Sequence, residues 1–325
     1  MRAIVHDQFG EPEDVLRVAD RPVPEPGPGE VRVRTTLASI HNHDLWTVRG
    51  TYGFVPALPA PSGTEAAGVV EALGEGVDTL AAGDRVIAGG IFGVWAEQFV
   101  AKATALIPAP EGLPDEAAAQ LVAMPFSAVS LLHSLALEPG QWLVQNAANG
   151  AVGRMVAQLA RGRGIRVVGL VRRAEAIDEL RAAGIGDIVA TSEEGWRDRV
   201  AAITDGAEIA AGVDSVGGAA AGEMLSVLGT GGTLVAFGAM GASTLELAVS
   251  DVIFKQATVR GFWGSAVSRD MDPAVRGALF AELSERLAAG DLTLPVSSIH
   301  GFDDVREAVL ASLTPGRVGK VLLRP

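Results

Sequence analysis

The sequence contains no cysteine. Disulfide bonds are therefore excluded, and so are the thiolate ligands on which structural zinc sites usually depend. Long hydrophobic runs are also missing, because charged residues, glycine or proline interrupt each apolar stretch, and no transmembrane helix is expected. The first residues form a strand pattern that carries Arg2 and His6 and lacks the apolar core of a secretory signal. This pattern predicts a cytoplasmic location.

Positive charge is scarce as well. Lys and Arg number 26 against 39 Asp and Glu, which gives a formal net charge of −13. Nucleic-acid binding needs clustered Lys and Arg, so the charge balance argues against that class of partner. Any phosphate group that the protein binds must be met by a local feature of the chain.

A length of 325 residues favours two domains. The first hundred residues contain short strand-like pieces bounded by Pro and Gly, at 31–36, 68–72 and 84–88, and predict a compact β-rich unit. The proline-rich stretch 22–29 is a turn or linker between strands.

From about residue 141 apolar strands alternate with amphipathic helices, a pattern typical of a parallel α/β sheet. We predict strands at 142–145, 167–171, 187–190, 212–216, 233–237 and 258–262, with helices at 152–163, 174–183, 194–203 and 219–228. This order is that of a Rossmann domain. The tail holds a helix at 273–289 and a strand at 319–323, and we expect it to return to the first unit. The predicted division is 1–118 with 264–325 for a catalytic domain and 119–263 for a nucleotide-binding domain.

A glycine-rich segment follows the first of these strands and opens a helix. It places small residues at the spacing of the GxGxxG dinucleotide fingerprint, with alanine in the first position. Small residues permit a tight turn and close approach to a pyrophosphate, whose charge is met by free N–H groups at the helix N-terminus. The alternative is a glycine-rich turn without a ligand. The predicted cofactor-binding residues here are Asn146, Ala148, Asn149, Gly150, Ala151, Val152 and Gly153.

Arg172 and Arg173 end the second strand, where an NAD enzyme would carry Asp or Glu for the ribose hydroxyls. Arginines at this point form charge-assisted hydrogen bonds with a 2′-phosphate. The residues therefore favour NADPH as cofactor. The alternative is that the two arginines are only a solvent-exposed pair at the start of a helix.

The segments RGTYGFVPALPA, WLVQNAANGAVG and RGFWGS lie far apart in the chain. Together with residues 39–70 they resemble the medium-chain dehydrogenase/reductase superfamily, and within it the enoyl-thioester reductases more than the quinone reductases. Quinone reductases usually carry a glycine pair where Asn149 and Gly150 stand. The resemblance implies an α/β fold that combines a GroES-like β-rich catalytic domain with a doubly wound Rossmann sheet.

Metal-dependent members of this superfamily bind catalytic zinc through Cys-His-Thr-Asp and Gly-His-Glu runs. Here the runs read His41-Asn42-His43-Asp44 and Gly63-Thr64-Glu65, so the usual zinc ligands are replaced. The resemblance therefore implies a zinc-free site. A different metal site made by His41, His43, Asp44 and Glu65 is the alternative. We favour Asp44 and Glu65 as internal hydrogen-bond partners and expect one histidine, His41, to face the cofactor.

Tyr52 is the only tyrosine in the chain, and it falls where enoyl-thioester reductases carry their catalytic tyrosine. Hydride delivery to the β-carbon of an enoyl group leaves an enolate, whose oxygen needs a hydrogen-bond donor and whose α-carbon needs a proton. Phenols have a reference pKa of about 10 and remain protonated at neutral pH, so they can donate. The alternative is a tyrosine packed in a loop between two glycines.

The resemblance implies further contacts. Other cofactor-binding candidates are Ser127, Val216, Phe237, Gly238, Met240, Phe262, Trp263 and Lys320. Substrate-pocket candidates are the aromatic residues Trp46, Phe54, Phe92 and Trp95, for which core packing is the alternative. A homodimer formed through Rossmann edge strands is also implied, with residues 245–249 taking part.

The expected function is NADPH-dependent reduction of an activated carbon–carbon double bond without zinc. A quinone or carbonyl reductase on the same scaffold is one alternative. A non-catalytic NADPH-binding subunit is the other, since a fold by itself does not imply turnover.

Overall fold

A computed structural model describes the whole chain, Met1–Pro325, and the chain forms two compact units. The first unit comprises Met1–Met124 with Leu294–Pro325, and the second comprises Pro125–Thr293. The predicted helix near residue 280 therefore belongs to the second unit, which corrects its expected return to the first. It is held there by contacts within that unit, since Phe280 stacks on Phe126 with ring centroids 4.4 Å apart and Glu282 pairs with Arg163.

The first unit is built mainly from antiparallel strands. Its strands are β1 (Arg2–His6), β2 (Arg17–Asp20), β3 (Glu30–Ser39), β4 (Ala60–Pro61), β5 (Glu65–Leu73), β6 (Arg85–Gly89), β7 (Gln98–Lys102), β8 (Leu106–Pro108), β15 (Val296–Gly301) and β16 (Lys320–Arg324). Its helices are α1 (Pro12–Val15), α2 (Asn42–Arg49), α3 (Asp115–Ala118) and α12 (Val305–Leu313), with 3-10 turns at Ala103–Ala105 and Phe302–Asp304. The β-rich character predicted from the sequence is confirmed.

Two sheets organise this unit. A small sheet has the order β2-β1-β4, and a seven-stranded sheet has the order β15-β16-β3-β5-β6-β8, with β7 also paired to β3. Apolar residues alternate along β3 and β5, and alternate side chains of a strand lie on the same face. Val31, Val33, Ala66 and Val70 therefore pack together in one buried core. Helix α2 follows directly on β3 and so carries the residues after Ser39 to one end of this sheet.

The second unit contains the predicted six-stranded parallel sheet. Its strands are β9 (Trp142–Gln145), β10 (Arg166–Val171), β11 (Ile188–Ala190), β12 (Ile209–Asp214), β13 (Thr233–Ala236) and β14 (Thr258–Gly261). Its helices are α5 (Ala151–Gly162), α6 (Glu175–Ala182), α7 (Trp196–Thr204), α8 (Ala219–Val227), α9 (Val249–Phe254), α10 (Gly264–Asp270) and α11 (Pro273–Ala288), and α4 (Ala123–Leu135) spans the boundary between the units.

The sheet order is β11-β10-β9-β12-β13-β14, which confirms the Rossmann prediction. Strand β12 ends two residues earlier than expected, because Gly217 and Gly218 both take positive φ and turn the chain away. All six strands are parallel, so the segments that follow β9, β10, β12, β13 and β14 lie along one edge.

Residues 245–249 are not a strand. Leu245 forms only an isolated bridge with Gly218, and α9 begins at Val249. The edge strand of the sheet on this side is β14, so the prediction that residues 245–249 take part as an edge strand is wrong. None of the helices has the length and apolar character needed to cross a bilayer.

Candidate functional site

The glycine-rich loop runs from the end of β9 into α5. Gln145, the last strand residue, donates its side-chain Nε2–H to the carbonyl of Gly153 at 2.7 Å and ties the strand end to the first turn of the helix. Ala147 takes a left-handed φ of 47°, and the Gly150 N–H donates to its carbonyl at 2.8 Å. The loop is therefore a tight turn with its conformation fixed at both ends.

Close approach explains the glycine at position 153. A Cβ there would lie 2.8 Å from the Ala147 carbonyl oxygen and 2.9 Å from the Ala148 Cα, so a larger residue would push the helix away from the loop. The first N–H groups of α5, from Ala151 onward, have no acceptor within the helix. This arrangement fits the pyrophosphate of a dinucleotide, which such N–H groups and the helix dipole bind.

Asn146 braces this loop against the neighbouring strand. Its buried side chain donates to Asp214 Oδ1 at 2.5 Å and accepts the Ser215 N–H at 2.7 Å. Asp214 in turn accepts the N–H of Gly217 at 3.0 Å. Both ends of the Asn146 amide are thus engaged within the protein, and direct cofactor contact by this side chain stays a prediction.

The two arginines lie where the sequence places them. Arg172 and Arg173 directly follow β10 and are both exposed, on the same sheet edge as the glycine-rich loop. Their guanidinium groups are therefore open to an anionic ligand at that edge.

The remaining candidates of the second unit gather at the ends of β12, β13 and β14. The backbone N–H groups of Phe237 and Gly238 donate to the Asp214 carbonyl at 2.7 and 3.2 Å, which joins the ends of two strands. Phe262 is buried, with its ring centroid 5.9 Å from that of Phe237. Four further candidates keep exposed or partly exposed surface: Ser127, Val216, Met240 and Trp263.

A buried polar cluster lies in the first unit, where β3, α2 and β5 meet. Glu65 accepts hydrogen bonds from His41 Nε2 at 2.7 Å and from the backbone N–H groups of Val122 and Ala123. Burial raises the pKa of Glu65 to about 8, although those two backbone hydrogen bonds oppose the change. Burial likewise holds the pKa of His41 well below its usual value.

His41 has no exposed surface, and no group in the protein bonds to its Nδ1. An unpaired buried lone pair costs less than an unpaired buried N–H, so the ring is neutral with its proton on Nε2 facing Glu65. The prediction that the His41 side chain contacts the cofactor directly is therefore wrong. Of the two histidines, His43 is the one that keeps exposed surface.

His43 lies in the first turn of α2 and stacks on His41, with ring centroids 5.0 Å apart. Its Nε2 is 2.7 Å from Thr64 Oγ1, and the Thr64 hydroxyl donates to Asp44 Oδ1 at 2.7 Å. Asp44 Oδ2 also accepts the His41 backbone N–H. Burial raises the pKa of Asp44, and these donors limit the rise. Asp44 and Glu65 are therefore internal hydrogen-bond partners, as predicted.

The residues at this position do not fit a zinc ion. Thr64 offers a hydroxyl already shared between His43 and Asp44, and His41 Nε2 is occupied by Glu65. No group of three or more His, Cys, Asp or Glu side chains converges with the geometry of a metal site.

Tyr52 lies in the loop between α2 and β4. Helix α2 ends at Gly50, whose φ of 73° turns the chain into this loop. The Tyr52 ring is partly exposed, and its centroid is 5.7 Å from that of His43. The loop thus holds the phenol beside the one histidine of the cluster that reaches the surface.

Aromatic candidates of the first unit separate into two groups. Phe54 and Phe92 are 44% and 41% exposed, and their rings lie 4.5 Å apart. Trp46 is partly buried on α2. Trp95 is 0% exposed, belongs to the core and donates its Nε1–H to the Ser39 carbonyl at 3.0 Å. Trp95 is therefore removed from the predicted substrate pocket.

Lys320 is buried at the start of β16, and its Nζ lies 3.4 Å from the Ile40 carbonyl. Burial lowers its pKa to about 8, partly offset by Glu65 and Asp44. The prediction that Lys320 contacts the cofactor is wrong, because its ammonium group faces the buried polar cluster. Sequence reasoning also missed Asp214, for which the only signal was an acidic residue at the end of an apolar strand, and it named Thr64 only as the replacement of a zinc ligand.

Comparisons with known proteins agree with the fold of each unit. Residues 27–111 match the family described as alcohol dehydrogenase GroES-like domain, and residues 151–279 match the one described as zinc-binding dehydrogenase. A mitochondrial enoyl-[acyl-carrier-protein] reductase of Homo sapiens is 32% identical and aligns with 99% of this chain and 88% of that protein.

Solved structures show the same architecture. A mycobacterial protein in complex with NADPH has a TM-score of 0.89 at 28% identity, with all of both chains covered. A quinone oxidoreductase of Escherichia coli in complex with NADPH has a TM-score of 0.89 at 25% identity, again with all of both chains covered.

Proposed function

Because the chain belongs to the medium-chain dehydrogenase/reductase superfamily, we propose that it uses NADPH to reduce an activated carbon–carbon double bond without zinc. The substrate class is an enoyl-thioester or an enone-like compound. The single observation that supports this reaction most directly is the partly exposed phenol of Tyr52, held in its loop beside His43.

NADPH fits the residues of the second unit. Its pyrophosphate is assigned to the N–H groups of Ala151, Val152 and Gly153, and its 2′-phosphate to Arg172 and Arg173. When bound, NADPH supplies the hydride that the reaction needs. The hydrogen bonds of Asp214 to Asn146 and Gly217 hold the loops that would bind the cofactor in one conformation.

Tyr52 acts on the substrate in this proposal. Its hydroxyl donates a hydrogen bond to the oxygen where negative charge develops and then gives its proton to the α-carbon. Phe54 lies in the same loop as Tyr52, and its ring pairs with that of Phe92 to give an exposed apolar surface. Such a surface favours a substrate with an apolar chain or ring.

Quinone reduction is the second candidate. It is favoured by the full-length structural likeness to the quinone oxidoreductase of Escherichia coli. A quinone accepts hydride without needing protonation of a carbon atom, so a carbon-directed acid such as Tyr52 would be dispensable.

The test compares acceptors and variants. Purified protein is assayed with crotonyl-thioesters, alkenals and quinones by following the absorbance of NADPH. We expect Tyr52→Phe to lower turnover of the enoyl substrate by roughly 10²-fold or more, the scale seen when one oxyanion donor is removed. Thr51→Val removes the neighbouring hydroxyl of the same loop and is the control, with turnover unchanged.

Unchanged turnover in Tyr52→Phe would remove the phenol from the mechanism. Oxidation of NADPH by quinones alone would replace the proposal with the second candidate. Tight NADPH binding with no turnover by any acceptor would instead identify a non-catalytic subunit.

The proposal extends to a homodimer formed at the β14 edge of the Rossmann sheet. Its strand is unpaired on one side, and the adjacent α9 exposes Val249, Ile253 and Phe254, the last 79% exposed. Sedimentation equilibrium tests this, since a species of 33.4 kDa alone would contradict it. The cytoplasmic location stays a prediction, and the human relative is mitochondrial.

A further inference from the structure

His43 is a member of the buried polar cluster, and its ring contacts the ring of Tyr52. It lies between two environments, with the ring of Tyr52 on one side and the hydroxyl of Thr64 on the other. Its side chain is 20% exposed, so water reaches it, while Asp44 behind it is buried.

The hydrogen bonds determine which nitrogen of His43 carries the proton. Thr64 has a single hydroxyl hydrogen, and Asp44 as a carboxylate only accepts, so that hydrogen points to Asp44 Oδ1 at 2.7 Å. The contact of 2.7 Å between His43 Nε2 and Thr64 Oγ1 then requires the N–H to be on Nε2. The Nδ1 atom of the neutral ring therefore carries a lone pair that can take up a proton.

We propose that His43 reprotonates Tyr52 after each turnover, as a relay residue held in place by Thr64 and Asp44. This inference rests on the proposed role of Tyr52. Once Tyr52 has given its proton to the substrate α-carbon, its O–H bond is broken and a phenolate remains. A proton from water adds to Nδ1 of His43, the new N–H bond then breaks, and an O–H bond forms on the phenolate.

The chain of hydrogen bonds supports the step in which His43 is charged. During that step both ring nitrogens carry protons, and Nε2–H remains directed at Thr64, with Asp44 Oδ1 only 3.6 Å from Nε2. Burial lowers the pKa of His43 and the Asp44 carboxylate opposes that effect, so the imidazolium forms only transiently and releases its proton readily. One proton from solvent is consumed in each turnover, which balances the hydride delivered to the β-carbon.

His43→Gln separates a relay from a structural role. The glutamine amide can place an N–H where Nε2–H stands and keep the bond to Thr64, but it cannot carry a proton. We expect kcat for the enoyl substrate to fall about tenfold or more with KM little changed, less than the 10²–10⁴ typical of a direct proton donor. His300→Gln is the matched control, since His300 also contacts a serine hydroxyl, at 2.9 Å, and should leave kcat unchanged.

Chemical rescue supplies a second readout. His43→Ala opens space beside Tyr52, and added imidazole is expected to raise its kcat severalfold while leaving the wild type and Tyr52→Phe unaffected. Thr64→Val should lower kcat and Thr64→Ser should retain it, because serine keeps the hydroxyl.

Wild-type turnover in His43→Gln, or a His43→Ala variant that imidazole does not stimulate, would overturn the relay. If Tyr52→Phe is strongly impaired while His43→Gln is not, the relay fails and the proposed reaction stands. If Tyr52→Phe is itself unimpaired, the proposed mechanism fails first.

Discussion

In the proposed site, the second unit offers backbone groups to its ligand, whereas the first unit offers side chains. In the second unit, the proposed cradle consists of the N–H groups at the start of α5 and the closely packed Gly153. Side chains such as Asn146 hold the glycine-rich loop in place through hydrogen bonds to the neighbouring strand. In the first unit, His43 and Tyr52 stand at the surface of a buried cluster of titratable groups.

This difference affects how each half responds to substitution. A backbone cradle tolerates many changes of side chain but not of backbone position. A buried hydrogen-bond cluster depends on every acceptor in it, because each lost partner leaves a desolvated donor unsatisfied. Stability should therefore be most sensitive in the first unit, and cofactor affinity in the second.

The largest effect is expected at Glu65. Glu65→Leu removes the acceptor of three N–H donors, from His41, Val122 and Ala123. We expect the free energy of unfolding, measured with urea, to fall by about 3–5 kcal/mol, because each buried donor left without an acceptor costs about 1–3 kcal/mol.

Glu65→Gln keeps one acceptor oxygen and should cost less than Glu65→Leu. Glu11→Leu is the control, because Glu11 pairs with Arg49 at the surface and such exposed pairs contribute at most about 1 kcal/mol. A loss in Glu65→Leu no larger than that of the control would mean that the cluster does not stabilise the first unit.

Gly153 tests the second unit. Gly153→Ala places a Cβ 2.8 Å from the Ala147 carbonyl oxygen and forces the start of α5 away from the loop. Overpacking of this kind costs about 1–3 kcal/mol, so NADPH affinity should fall roughly tenfold to a hundredfold in a fluorescence titration.

Gly277→Ala is its matched control. A Cβ at Gly277 meets nothing within 4 Å, and alanine is favoured over glycine inside a helix such as α11. Equal NADPH affinity in the Gly153 and Gly277 variants would contradict the idea that backbone approach builds the cradle.

The same contrast explains what the sequence could predict. The six strands and the glycine-rich loop were recognisable because their signals are local: apolar runs, helix periodicity and the spacing of small residues. Their order then placed Arg172 and Arg173 at the correct edge of the sheet.

The first unit could be predicted only in outline. His41 and Glu65 are 24 residues apart and Asp44 and Thr64 are 20 apart, so no local pattern indicates that they bond. Lys320 and Ile40 are 280 residues apart. The aromatic pattern also could not tell Trp95, in the core, from Phe54, on the surface, because burial depends on how strands pack together.

The smallest effect is expected at the two arginines, which are exposed and act on only one group of the cofactor. Arg172→Ala with Arg173→Ala removes charge-assisted bonds to the 2′-phosphate and should weaken NADPH about tenfold, or about 1.4 kcal/mol, with NADH affinity nearly unchanged. Salt screens exposed charges. Raising the ionic strength should therefore reduce the preference of the wild type for NADPH over NADH toward the preference of the variant. Arg197→Ala with Arg199→Ala, two arginines of α7, is the control. Equal losses for both cofactors would place the 2′-phosphate elsewhere and leave the backbone cradle as the only cofactor determinant of this unit.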